Sequence, residues 1–241
     1  MARKINSILK SERVREFMRT LQYSCSCTEE QALQILTKEE FKAICKMGYL
    51  KRNDVRVVQD QAKILYENGV ISKEKYEAEC KQKIQIVTVF KRTTKGTKFA
   101  DKHHNARNNY SSGSLIHDIC LTTKQLQLKS NFQEGDKELK FQQESVTREK
   151  LNGRIDYMRK NKPDEFAALQ QKYEEKCEGF IEKMESDKTY SRGSSPDLCY
   201  RNGQGKWVAY EVTTVNYDHF TRCLKEFSAE VLGYEYETLD I

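Results

Sequence analysis

Asp197 and Glu211 are the residues of this chain best placed to do chemistry. Each lies at one end of a short β-rich run. Leu198-Cys199-Tyr200 follows the first acid, and Trp207-Val208-Ala209-Tyr210 leads to the second. Between the runs, Arg201-Asn202-Gly203-Gln204-Gly205-Lys206 is polar and holds two glycines, the composition of a hairpin loop. Antiparallel pairing across that loop brings the two carboxylates side by side. Period-two alternation puts Trp207, Ala209 and Glu211 on one face, with Val208, Tyr210 and Val212 on the other. Neighbouring acids offer hard oxygen ligands, so Asp197 and Glu211 are candidate metal ligands for a cation such as Mg²⁺. A plain hairpin, with Pro196-Asp197 as a turn, accounts for the same residues without chemistry.

The order Pro196-Asp197, hairpin, Glu211-Val212-x resembles the core of the PD-(D/E)xK nucleases. That pattern ends in a lysine, and Thr213 stands in its place. Leu139–Ser145 reads as a further strand ending in an acid, Glu144. Glu144, Asp197 and Glu211 are then the candidate ligand set, in which a metal polarises a phosphate and activates water. The missing cation would come from Lys206 or from Lys225 on the next helix. A threonine hydroxyl carries no charge to offset an anionic transition state. The expectation is therefore a clustered set of acids, with Lys225 beside it, that does not cut DNA. At least one acid should be protonated, paired with Lys225 or Arg222, or bound to a cation.

The elements that carry these residues follow an uneven charge distribution. The 241 residues include 42 Lys/Arg and 36 Asp/Glu, a net charge of +6. Residues 1–110 hold 23 of the basic residues against 13 acids, leaving 19 against 23 in the remainder. A basic first half suits a polyanion partner. No apolar run reaches the length of a membrane span, and the first ten residues lack the apolar block of a signal peptide. Eight scattered cysteines form no C-x-x-C, and His103-His104 has no cysteine pair at zinc spacing. These features predict reduced thiols in a cytoplasmic protein, with Cys45, Cys120 and Cys223 as small core residues.

In chain order, residues 5–23 predict an amphipathic helix. Thr28-Glu29-Glu30-Gln31 and Thr37-Lys38-Glu39-Glu40 are capping-box patterns that open two short helices, the second stopping at Gly48. Asn53 or Asp54 is read as the cap of a fourth helix with Val55, Val58, Ala62 and Leu65 buried. Its outward residues would be Lys51, Arg52, Arg56, Gln59 and Lys63. A short charged helix over 73–81 and a strand over 84–90 follow. Residues 91–99, with Lys91, Arg92, Lys95 and Lys98, read as a cationic β-hairpin tip. Together these suggest a helix-turn-helix and a wing, with all nine of those polar residues as candidate DNA contacts.

Residues 101–113 are polar and read as a linker. A helix over 114–128 contains His117, taken as a core histidine. Residues 147–160 and 163–185 are long, charged and helical, a hairpin inserted between the Glu144 strand and the Asp197 hairpin. A core-facing helix over 218–233 and a final edge strand over 234–239 close the chain.

A basic winged helix, His117-Asp118-Ile119, Gln143-Glu144, Pro196-Asp197, Tyr210-Glu211-Val212 and a helix with Lys225 resemble the replication-relaxation family of plasmids and integrative conjugative elements. The resemblance implies an α+β protein of two parts. Residues 1–110 would form a winged helix-turn-helix domain. Residues 111–241 would form a degenerate PD-(D/E)xK nuclease-like α/β domain; the helical insert at about 146–190 lies outside the resemblance and is expected, from its narrow apolar stripe, to be dispensable for folding. The resemblance further implies a double-stranded DNA-binding accessory factor that assists a relaxase or replication initiator at an origin. A Mg²⁺-dependent endonuclease and a winged-helix transcriptional repressor are the alternatives, and fold-level likeness does not separate them.

Overall fold

The first helix, α1 (Glu12–Ser24), begins where the Ser11 hydroxyl accepts the Val14 amide, and it buries Val14, Phe17, Met18 and Leu21. Strand β1 (Ser26–Cys27) follows a left-handed turn at Cys25. Helices α2 (Glu29–Leu33) and α3 (Lys38–Lys46) each open with a complete capping box, Thr28 with Gln31 and Thr37 with Glu40, as the sequence predicts. Helix α3 buries Phe41 and Ile44 and gives way to Gly48 at a φ of 71°. The computed structural model describes residues 8–79, 82, 84–104, 114–132, 138–214 and 217–241. It divides into two compact units, Met1–Asn131 and Phe132–Ile241, both mixtures of helix and strand.

The rest of the first unit corrects the sequence reading. Leu50–Val58 is a strand, β2, and the helix expected from Asn53 or Asp54 begins only at Gln59 as α4 (Gln59–Glu67). Helix α5 (Lys73–Glu79) follows, and then strand β3 (Ile84–Arg92). β2 and β3 pair antiparallel over nine positions, from Leu50 opposite Arg92 to Val58 opposite Ile84. That continuous ladder outweighs the local cap and stripe that suggested a helix. The expected cationic hairpin tip is not one either. Lys91 and Arg92 end β3, and residues 94–104 form helix α6 (Thr94–His104), entered where Thr93 Oγ1 accepts the Gly96 amide. The sheet order is β1-β3-β2, and both pairings are antiparallel. Its core joins Phe17, Met18 and Leu21 to Phe41, Ile44, Leu50 and Ala100.

Residues 101–104 close α6, and the remainder of the expected linker, 105–113, lies outside the described residues. So do the start of the first expected helix, residues 5–7, and Lys81. Helix α7 (Leu115–Ser130) packs within the first unit rather than the second. Thr122 Oγ1 meets Ser24 Oγ at 2.6 Å, Ser26 Oγ donates to Asp118 at 3.0 Å, and Gln31 Nε2 donates to Thr123 Oγ1 at 2.6 Å.

The second unit runs β4 (Lys140–Gln142), α8 (Glu144–Asn161), α9 (Pro163–Lys176), α10 (Phe180–Ser186), β5 (Leu198–Arg201), β6 (Trp207–Thr213), α11 (His219–Leu232) and β7 (Glu235–Asp240). The strands lie in the order β4-β5-β6-β7. The first two pairings are antiparallel, and β6 with β7 is parallel, so α11 is the crossover. Residues 146–190 are core rather than an appended arm. Leu151, Ile155, Phe166, Tyr173, Phe180 and Met184 from that stretch share one cluster with Phe220, Leu224 and Phe227 of α11. Among the described residues, no helix is long and apolar enough to cross a membrane.

Candidate functional site

Two places in the molecule gather charged groups. The first is in the second unit. The β5–β6 register pairs Leu198 with Tyr210, so Asp197 meets Glu211 one step before the ladder. The Asp197 amide donates to Glu211 Oε1 at 3.2 Å, and the Val212 amide donates to Asp197 Oδ2 at 3.0 Å. Lys225 reaches in from α11. Its Nζ donates to the Ser195 carbonyl at 2.7 Å and lies 3.4 Å from Asp197 Oδ1 and 3.1 Å from Glu211 Oε2. The last contact is an ion pair without the alignment of a hydrogen bond, so Glu211 Oε2 lacks a hydrogen-bond partner among the described residues.

Helix α11 also holds the approach to Asp197. Ser228 Oγ accepts the Ser194 amide at 2.8 Å while donating to the Leu224 carbonyl. Gly193 turns at a φ of 69°, and a Cβ there would meet Ser228 Oγ at 2.7 Å, so only glycine brings the chain this close.

The triad is buried. Glu211 is fully buried, and the side chains of Asp197 and Lys225 are each 9 % exposed. Burial, then the neighbouring Asp197, pushes the Glu211 carboxyl well above the usual carboxylate range. Burial alone would lower Lys225, but Glu211 and Asp197 outweigh it and hold the ammonium charged. Burial and Asp197 push the nearby Tyr217 hydroxyl up to about 12. An arriving divalent cation would be held by Asp197 and Glu211, in competition with the ammonium already between them.

The other sequence candidates for this site lie elsewhere. Glu144 does not end a third strand but opens α8, where it pairs with Arg148 at 2.5 Å. Lys206 pairs with Glu235 at 2.6 Å and Arg222 with Asp240 at 3.0 Å. Thr213 is buried against Asp240 at the end of β6.

The second place is on the first unit. Lys51, Arg52 and Arg56 are exposed, but on β2, where Arg52 pairs with Asp54 at 3.3 Å. Gln59 and Lys63 are exposed on α4, with Lys63 near Glu67 at 3.7 Å. Lys98 is exposed on α6, and Lys95 is exposed while donating to the Met47 carbonyl at 2.8 Å. Lys91 is half-buried. Arg92 is not a wing contact. It is buried, donates to the Met18 carbonyl at 3.2 Å, and its guanidinium is lowered to about 10 by burial.

The sequence reading missed Lys38, Lys42 and Lys46, which line the exposed side of α3 opposite Phe41 and Ile44. Their i, i+4, i+8 spacing after a capping box was the available signal. None of the three pairs with an acid among the described residues, whereas several other surface cations do. Comparison with protein families, with curated proteins and with solved structures found no match to this chain.

Proposed function

We propose that the chain is a double-stranded DNA-binding protein of the winged-helix type. It acts as a sequence-directed accessory factor at an origin on a mobile element, beside a relaxase or replication initiator. The observation that carries the DNA-binding part is the line of exposed lysines on α3, none paired with an acid among the described residues. Helix α3 is the second helix of a tightly joined pair, the position that enters a major groove in helix-turn-helix proteins. The order α1, β1, α2, α3, β2, β3 and the sheet order β1-β3-β2 support the same reading. In it, the α2–α3 pair replaces the helices first assigned. The long β2–β3 ribbon, with Arg52 and Arg56 on its exposed side, takes the wing's place against phosphate. The accessory role itself rests on the resemblance to the replication-relaxation family.

The test is selection of duplexes from a randomised pool by the full chain, then anisotropy titration across salt. Lysine contacts release counterions, so each of the three removed should lower the salt slope by about 1. The Lys38→Ala/Lys42→Ala/Lys46→Ala variant should lose binding while retaining its melting curve. Binding that survives this change would remove α3 from the interface.

A second reading, Mg²⁺-dependent DNA cleavage, is favoured by one observation. Lys225 Nζ stands within 3.4 Å of both Asp197 and Glu211, a cation supplied from α11 where Thr213 supplies none. Plasmid cleavage in Mg²⁺ or Mn²⁺ that disappears in Asp197→Asn would establish it over the non-catalytic reading.

A further inference from the structure

The second unit holds another cluster, away from the acids. Cys177 caps the C-terminus of α9 in an extended conformation and is buried. His219 and Cys223 lie one turn apart at the start of α11, on one face of that helix. One ligand atom from each of the three lies within 4.8 Å of the other two, and Cys223 Sγ is 3.9 Å from His219 Nε2. We propose that Cys177, His219 and Cys223 form a zinc-binding site that ties the end of α9 to the first turn of α11.

The donor set fits that metal. Two thiolates and one imidazole are borderline-soft ligands, which select zinc over Mg²⁺ or Ca²⁺. A tetrahedral zinc with bonds of about 2.3 Å to sulfur and 2.0–2.1 Å to nitrogen separates its ligand atoms by roughly 3.5–3.8 Å. The present separations need only a small contraction to match. The two thiols are buried and His219 is exposed. His219 and Cys223 line a cleft of about 360 Å³ together with Lys176, Arg222, Glu226 and Tyr236. A water molecule in the cleft completes the tetrahedron.

His219 Nε2 lies 2.7 Å from the Lys176 carbonyl and donates to it in the metal-free chain. Binding exchanges that hydrogen bond for the metal bond. The imidazole proton moves to Nδ1, and the two thiol protons leave to buffer. The ends joined are 42 positions apart, from Cys177 to His219. The metal therefore binds the folded unit and not the open chain, and it raises stability by mass action.

The experiment uses the full chain, reduced and treated with chelator, with Co²⁺ and Zn²⁺ as probes. The expected result is one equivalent of Co²⁺ per chain with a thiolate charge-transfer band and the intense visible bands of tetrahedral coordination. Zn²⁺ should displace the Co²⁺ and raise the melting temperature. Because five other cysteines occur among the described residues, variants carry the assignment. His219→Ala removes an exposed side chain and its hydrogen bond to the Lys176 carbonyl, so its metal-free melt should stay cooperative and fall only slightly below that of the parent. Its Co²⁺ affinity should fall at least tenfold, and Cys223→Ser should lose the charge-transfer band. Absence of a stoichiometric band overturns the site, as does a band unchanged in both variants.

Discussion

Glu211 is fully buried beside Asp197 and Lys225, so three ionisable groups share a small space. Its carboxyl is raised in the folded chain. The stability it supports is therefore full below the ordinary carboxylate range and is lost as pH rises through the raised folded value. Glu211→Gln keeps the shape of the protonated acid but cannot ionise. Urea titrations followed by Trp207, the single tryptophan, should show the parent losing stability on the alkaline side while the variant does not. Parallel curves would remove Glu211 as the titrating group. Glu40 works in the opposite sense. Burial pushes its carboxyl up, but bonds from Arg13, the Thr37 amide and Ser11 together outweigh burial and hold it at about 2. Its contribution is present above the ordinary value near 4.5 and lost as pH falls toward 2. Amide exchange in α3 should be faster in Glu40→Gln at pH 7, and that gap should close in acid. At this scale the sequence was informative where spacing is local. The Asp197–Glu211 pairing followed from two β-rich runs and a glycine loop. That Lys225 and not Lys206 joins them depends on how α11 crosses the sheet, which no local pattern records.

Helix α11 connects this triad to the aromatic core of the second unit. Lys225 meets the acids, while Phe227 packs against Phe166, Tyr173 and Phe180 at centroid distances of 6.0, 5.5 and 5.4 Å. Those three rings come from α9 and α10, inside the stretch the sequence suggested was dispensable. Its narrow apolar line, Leu169, Tyr173, Cys177, Phe180 and Met184, was visible, but a stripe does not say which surface it covers. Phe227→Ala should cost about 3–5 kcal/mol by Trp207-monitored unfolding, the usual range for an aromatic lost from a packed core. Deleting residues 146–190 should leave the second unit unfolded rather than shortened. A deletion that stays soluble with a cooperative Trp207 transition would return the stretch to the status of an arm. Strand β2 was misread for a related reason. Val55, Val58, Ala62 and Leu65 fit a helix face, yet Val55, Val57 and Val58 are β-branched and pair across to β3. A partner more than 25 residues away decided between two locally plausible elements.

For the whole molecule, the boundary decides which part can be tested for DNA binding. Charge alone places the basic half at 1–110, but the compact unit extends to Asn131. Helix α7 is what differs. It supplies the Thr122 and Asp118 oxygens that meet Ser24 and Ser26, and the Thr123 hydroxyl and Ile119 carbonyl that accept from Gln31. Ser24, Ser26 and Gln31 are all buried. Removing α7 would take away the partners of three buried polar side chains and expose the apolar surface that Ile119 and Leu121 cover. Gln31 also closes the capping box of α2, so the loss reaches the helix pair that carries the lysines. Residues 1–131 should therefore melt cooperatively and bind duplex DNA with the salt dependence of the full chain. Residues 1–110 should aggregate or lack a cooperative transition, and should retain at most weak, non-specific binding despite carrying the same α3 lysines. Equal melting and equal DNA affinity in the two fragments would show that α7 is not part of the folded DNA-binding unit.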